Sequence, residues 1–194
     1  MNPENLKQAL GKADVYVIDQ FMKSSFSKTD KILDAGCGTG RNLKFLHQLG
    51  YNVAGCDMNN LTLLGLQPEL PNVNLQVANL NELPFAGNEF DYVICNAVLH
   101  FANSVEEFKK MILELHRILK PNATLFIRMN SVFGIEDIIQ KQGEKYLLPD
   151  GSHRFLLNNG LITFIKTKFV FKEHLKTVNV DGLRCMSNLV LGKV

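Results

Sequence analysis

The residues best suited to chemistry lie in one short stretch, Ile32-Leu33-Asp34-Ala35-Gly36-Cys37-Gly38-Thr39-Gly40. A mostly apolar run carries an aspartate, and three glycines then alternate. Glycines between a strand and a helix let backbone approach a ligand closely, because no Cβ stands in the way. Such a turn also gathers backbone N–H groups at a helix N-terminus. The chemistry implied is the holding of a nucleotide-like ligand. Three later positions add to it. Asp57 ends the apolar run Val53-Ala54-Gly55-Cys56; its carboxylate either accepts hydrogen bonds from vicinal ribose hydroxyls or caps the helix that follows. Asn79 offers a side-chain carbonyl to an amino group such as the adenine N6. Asn96 follows another apolar run. Both asparagines also have an ordinary reading as turn residues.

The spacing narrows the ligand. In the dinucleotide pattern GxGxxG the third glycine falls three residues after the second. Here that position is Arg41, which argues against a nicotinamide oxidoreductase. No Walker lysine follows the glycines, so a P-loop is excluded.

The elements that must position these residues alternate. Residues 4 to about 26 read as helical, with Val15, Ile18, Phe21, Met22 and Phe26 at helical intervals. Strands are predicted at 31–35, 52–56, 73–78, 90–95 and 123–129. Helices are predicted at 40–49, 59–66, 104–119 and 134–142. The helix at 104–119 has Ser104 as its cap, Glu106 and Glu107 in its first turn, and Lys120-Pro121-Asn122 as its stop. Alternating strands and helices imply a doubly wound, mostly parallel α/β sheet. Residues 173–180 and 184–192 break the rhythm: two strands joined through Asp181-Gly182 read as an antiparallel β-hairpin. Residues 130–170 are irregular.

Bulk composition agrees with one domain. The chain has 194 residues, 46% hydrophobic and 21% charged, with a net charge of +2. No long basic run exists; the lysines of 166–176 are interleaved with Phe169, Phe171 and Leu175, so nucleic acid is not an expected partner. No apolar run of about 18 residues predicts a membrane span. The polar start Met1-Asn2-Pro3-Glu4-Asn5 has no signal-peptide character, and a cytoplasmic location is expected. The cysteines at 37, 56, 95 and 185 form no CxxC pair and predict neither metal nor disulfide framework; each reads as a small buried hydrophobe.

Taken in order, Ile32–Gly40, Gly55-Cys56-Asp57, Leu83-Pro84-Phe85, Phe90-Asp91-Tyr92-Val93-Ile94, Leu99-His100-Phe101 and Leu119-Lys120-Pro121 resemble the class I S-adenosylmethionine-dependent methyltransferases. The likeness covers about residues 30–130. It implies a Rossmann-like seven-stranded sheet with an antiparallel last strand, and S-adenosylmethionine as cofactor. It implies a domain with a helical cap at 1–28, a cofactor-binding core at 30–130, a variable acceptor-side region at 131–172 and a terminal hairpin at 173–194. Gly36, Gly38 and Gly40, with Cys37 in the same turn, would pass close to the methionine part and ribose. Asp34 would lie near the amino group, Asp57 at the ribose hydroxyls and Met58 beside the adenine. Asn79 would meet the adenine amino group, the Leu80 N–H its ring nitrogen, and Asn96 the methionine portion. Many members carry Asp where this chain has Asn79. Arg41 either lies on the surface or meets the cofactor carboxylate.

A sulfonium methyl is already activated, so positioning and water exclusion suffice for many acceptors, and a base is needed only where the acceptor must lose a proton. Candidates to face the acceptor are His100, Tyr16, Asn130 and His153. The Asn96-Ala97-Val98-Leu99 segment lacks the (Asp/Asn/Ser)-Pro-Pro-(Tyr/Phe) motif of amino-methylating DNA enzymes, and no Pro-Cys pair offers a cytosine-attacking thiol. The small size of the chain and its short insertions favour a small-molecule acceptor. The start Gly40-Arg41-Asn42, residues 79–83 and Leu183-Arg184-Cys185-Met186 also resemble bacterial tellurite-resistance methyltransferases, more distantly. The competing reading is a catalytically silent protein of the same fold that binds the cofactor or a partner.

Overall fold

The computed structural model describes residues 2–194. Its central sheet is built from β1 (Lys31–Ala35), β2 (Asn52–Asp57), β3 (Asn74–Val77), β4 (Phe90–Asn96), β5 (Leu119–Ser131), β10 (Lys176–Val180) and β11 (Arg184–Lys193). Their order is β10-β11-β5-β4-β1-β2-β3, with β9 (Phe169–Phe171) joining β11 as an eighth strand. Strands β3, β2, β1, β4 and β5 are mutually parallel. β11 runs antiparallel to β5 and to β10.

The central strands are apolar on both faces because helices cover both. Leu33 and Ala35 enter one core cluster and Ile32 the other, all fully buried; this is why the segment reads as a continuous apolar run rather than an alternating one. α3 (Arg41–Gln48), α4 (Asn60–Leu66) and α5 (Val105–Ile118) supply the layers. On α5, Phe108, Met111, Ile112, Leu115 and Ile118 form the buried stripe, each stabilising by roughly 1.5–3 kcal/mol through removal from water. Ser104 accepts the Glu107 N–H at 3.0 Å, the cap expected there. The polar side of α5 holds the loop after β3: Arg117 donates to the Leu83 and Phe85 carbonyls at 2.9 and 2.8 Å and pairs with Glu114.

From β1 the chain winds outward through β2 and β3, then crosses to β4 on the other side of β1. The two directions of winding open a crevice at the carboxyl ends of β1 and β4, where ligands bind in open α/β sheets. The backward course of β11 also matters. Met186 pairs with Asn130 and Cys185 with Ser131, so the start of β11 meets the end of β5 at that same edge.

Several expectations need correction. The N-terminal helix is two helices, α1 (Pro3–Leu10) and α2 (Val15–Met22). Gly11 takes a positive φ of 54° and ends the first, and Asp14 caps the second by accepting the Tyr16 N–H at 3.0 Å. Residues 134–142 form no α-helix. Gly134 and Gly143 sit at φ of 79° and 63°; a single 3-10 turn spans Glu136–Ile138 and leads into β6 (Gln140–Gln142). β6 pairs with β7 (Lys145–Leu147), which pairs with β8 (His153–Arg154), making a small separate sheet. The irregular region also holds a helix, α6 (Asn159–Lys166), capped by Asn158, whose side chain accepts the Leu161 N–H. The terminal hairpin forms as expected, with Asp181 and Gly182 both at positive φ, although its first strand starts at Lys176. All four cysteines are buried free thiols.

Candidate active site

A cleft of about 460 Å³ opens above the ends of β1, β2 and β4, within the usual range for small-ligand sites, about 300–1,000 Å³. Of the residues singled out from sequence, Gly36, Gly38, Asp57, Met58, Asn79 and Leu80 line it. Gly36 and Gly38 are there for different reasons. A Cβ on Gly36 would stand 2.3 Å from a Val98 methyl, so only glycine lets the loop after β4 close over the turn. A Cβ on Gly38 would meet nothing within 4 Å; its φ of 52° and its place on the cleft wall are what require glycine. Gly40 stands back from the cleft. It begins α3 in the left-handed region and abuts Leu66. Cys37 also faces inward. Its N–H and that of Gly36 donate to the Cys56 carbonyl, its side chain joins the core, and burial pushes its thiol far up.

Asp57 sits on the cleft wall with each carboxylate oxygen accepting one backbone N–H, from Gly38 and from Asn59, both at 2.9 Å. It does not cap α4; Asn59 does, accepting the Thr62 N–H. The carboxylate is thereby fixed in orientation with lone pairs to spare. Met58, 73% exposed, forms an apolar rim. Asn79 accepts the Asn81 N–H at 3.0 Å, so its carbonyl already serves a turn, and the amide group and second lone pair remain for a ligand. The Leu80 N–H makes no hydrogen bond among the described residues.

Beneath the cleft lies Asp34, 2% exposed, with Oδ2 unpartnered. Burial pushes its carboxyl up to about 7, opposed by the Arg41 guanidinium and reinforced by Asp57. Asn96, one strand over, is also buried with both side-chain amide atoms unpartnered. Buried polar groups are rarely left without partners, and these two lie on the adjacent strands β1 and β4. Arg41 is not directed to the cleft wall; it pairs with Asp14 at 3.3 Å.

A second cleft, about 360 Å³, adjoins the first and shares Ala97 and Phe101 with it. Ala97 holds a φ of 63°, unusual for a residue with a Cβ, and its N–H donates to the Arg128 carbonyl at 2.7 Å. Strained backbone of this kind concentrates at functional sites. His100 and Asn130 line this second cleft; Tyr16 and His153 do not. Tyr16 packs beside the N-terminal core under Arg128, whose guanidinium lies 5.2 Å from its ring centre. His153 is exposed and bonded to Gln142 at 2.8 Å. His100 is 6% exposed, and burial with the charges of Arg154, Arg184 and Arg128 drives its pKa down to about 4. Its Nδ1 accepts the Asn130 N–H at 3.4 Å, leaving the neutral ring's proton on Nε2. Sequence reading missed Arg128 and Asp14. The signal for Arg128 was its place in the apolar run Leu125-Phe126-Ile127-Arg128-Met129, where an arginine needs a reason. Among the described residues no cluster could hold a metal ion and no helix is long and apolar enough to cross a membrane.

Comparison with known proteins agrees with this geometry. A model of the methyltransferase domain family matches residues 33–127. An uncharacterized methyltransferase of Bacillus subtilis, YodH, is 32% identical over 123 residues, covering 61% of this chain and 48% of that protein. The probable S-adenosyl-L-methionine-dependent methyltransferase TehB of Haemophilus influenzae is 35% identical over 77 residues, covering 38% of this chain and 27% of its own. Among solved structures, a 1,6-didemethyltoxoflavin-N1-methyltransferase from Burkholderia thailandensis, with bound 1,6-didemethyltoxoflavin and S-adenosylhomocysteine, superposes with a TM-score of 0.67 at 16% identity, covering 96% of this chain and 78% of that one. The matched part of the chain spans 48%, 42% and 45% of the first three curated relatives. Residues 33–127 match the methyltransferase domain family, and the fold is shared with a solved S-adenosylmethionine-dependent methyltransferase from Methanosarcina mazei at a TM-score of 0.74 and 21% identity, over 90% of this chain and 97% of that one.

Proposed function

We propose that this chain transfers a methyl group from S-adenosylmethionine to a small-molecule acceptor. The observation that carries the reading is the buried Asp34 carboxylate, its Oδ2 without a partner, near a cleft whose wall holds the oriented Asp57 carboxylate. The residues fit the cofactor's chemistry: Asp34 suits an ammonium group, Asp57 a pair of ribose hydroxyls, Leu80 N–H and Asn79 the adenine edge, and Met58 its face. When bound, S-adenosylmethionine supplies a methyl group already activated by its sulfonium.

The protein's own task is then positioning and exclusion of water. Ala97 and Phe101, common to both clefts, mark where donor and acceptor would meet. Phe101, 56% exposed, and Val98 present apolar surface there. His100 suits the role of a hydrogen-bond donor through Nε2–H better than that of a base, because its depressed pKa makes it a poor proton acceptor at neutral pH. Asn130 offers an amide beside it.

Calorimetric titration with S-adenosylmethionine and S-adenosylhomocysteine tests the binding half of this reading. Methyl transfer across a metabolite panel tests the rest and separates an enzyme from a silent binder. Absence of binding to either compound would overturn the proposal.

A further inference from the structure

The acceptor-side cleft has a marked charge character. Arg128, Arg154 and Arg184 all line it, from β5, β8 and the start of β11, and no carboxylate does. They come from three distant parts of the sequence, and the topology alone unites them. Arg184 reaches this edge because β11 runs antiparallel to β5.

The guanidiniums are only loosely neutralised. Arg128 has one carboxylate near it, Asp14 at 3.5 Å, already shared with Arg41 and the Tyr16 N–H. Its Nε is buried without a partner. Arg184 has Asp150, also at 3.5 Å. Arg154 lies 5.0 Å from the Phe101 ring centre and donates to its neighbour's carbonyl, with no carboxylate paired to it among the described residues. Arg128, Arg154 and Arg184 all act on the buried His100, and like charges gathered in this way favour a bound anion. Guanidinium forks match carboxylate and phosphate oxygens, two bonds at a time.

We propose that the methyl acceptor is a small anion whose carboxylate or phosphate group is held by Arg128, Arg154 and Arg184, with its nucleophilic atom directed past Phe101 toward the cofactor cleft. This rests on the methyltransferase reading above. The anionic group is the handle rather than the methylated atom, because guanidinium hydrogen bonds draw electron density from the oxygens they hold.

The test uses the whole chain saturated with S-adenosylhomocysteine, titrated at low ionic strength with inorganic phosphate and, separately, malonate, with chloride as control. Binding is followed by calorimetry and by NMR. At least one probe is expected to bind, at least tenfold more tightly than chloride. Arg154→Gln and Arg184→Gln, at partly exposed positions that do not threaten folding, should each weaken it about tenfold, the loss of a charge-assisted bidentate contact. S-adenosylhomocysteine affinity should stay the same. Which probe binds tells a carboxylate handle from a phosphate one. Normal S-adenosylhomocysteine binding with no probe preferred over chloride would overturn this inference alone. So would probe binding that neither substitution affects. Failure of S-adenosylhomocysteine to bind would instead overturn the underlying reading.

Discussion

Asp34 gives the most decisive handle on the cofactor site. Its carboxyl moves from an ordinary 3.8 to about 7 in the folded chain, chiefly through burial. Between those values the folded state holds a proton that the unfolded state has released. Stability contributed by this group therefore falls as pH rises from about 4 to about 7, by on the order of 4 kcal/mol in all. Above about 7 the folded protein carries a buried carboxylate that Arg41 and one backbone hydrogen bond compensate only in part. A ligand ammonium compensates it, so binding selects the ionised form. The apparent Kd then scales as one plus the ratio of protonated to ionised Asp34. Taking the value near 7, S-adenosylhomocysteine should bind about tenfold more weakly at pH 6 than at pH 8, and about a hundredfold more weakly at pH 5. Isothermal calorimetry across that range measures it. Asp34→Asn should abolish the slope, bind weakly throughout, and melt at higher temperature than the parent at pH 8. A Kd constant within about twofold between pH 8 and pH 6 would refute the reasoning, because a tenfold effect corresponds to one pKa unit. The same slope in Asp34→Asn would refute it as well.

Other outcomes follow from the same geometry. Asp57→Ala should weaken S-adenosylhomocysteine binding by on the order of 1.5–3 kcal/mol, roughly 10- to 150-fold, because two buried hydroxyls and the Gly38 N–H lose their acceptor; calorimetry reads it directly. Gly36→Ala must displace Val98 and strain a residue at φ 77°, and chemical denaturation should register a loss of about 1–3 kcal/mol, partly restored by adding Val98→Ala. The His100 ring should stay neutral in NMR titration down to about pH 5, and Arg154→Gln should raise its pKa from about 4, since the Arg154 charge is among the causes of the depression. Arg117→Ala should free the 83–85 loop from α5, seen as faster amide exchange in that loop before any change in global stability.

What could be read from sequence divides along a physical line. β1, its glycine turn and Asp57 are local: apolar run, turn and acidic residue follow within a few residues, and their chemistry survives without tertiary context. The hairpin was equally legible, because Asp181-Gly182 carries the positive φ angles that such a turn needs. The split between α1 and α2 was not. Gly11 and Asp14 signal a break, but the apolar spacing continues through it. The 134–142 segment misled for a related reason. Ile135, Ile138 and Ile139 have helical spacing, yet only Ile135 is buried, in a small cluster with Leu148, Leu156 and Cys185 that is distinct from the two main cores. The arginine cleft was beyond reach, because residues 128 and 184 meet only through the β5–β11 pairing and residue 154 comes to them from the separate small sheet. Tyr16 and His153 were candidates by residue type and by segment, and neither says which way a side chain faces.

The reversed course of the last strand has a consequence for how such a protein changes over time. Because β11 starts where β5 ends, the hairpin turn at 181–183 lies beside the second cleft, while Asp34 on β1 and Asp57 at the end of β2 lie on the other side of β4. A turn can lengthen, shorten or swap residues without shifting the register of any parallel strand. Editing that one turn alters the wall of the second cleft and leaves the lining of the first untouched. The sheet thus separates a part that tolerates experiment from a part that does not, and the two clefts meet only at Ala97 and Phe101.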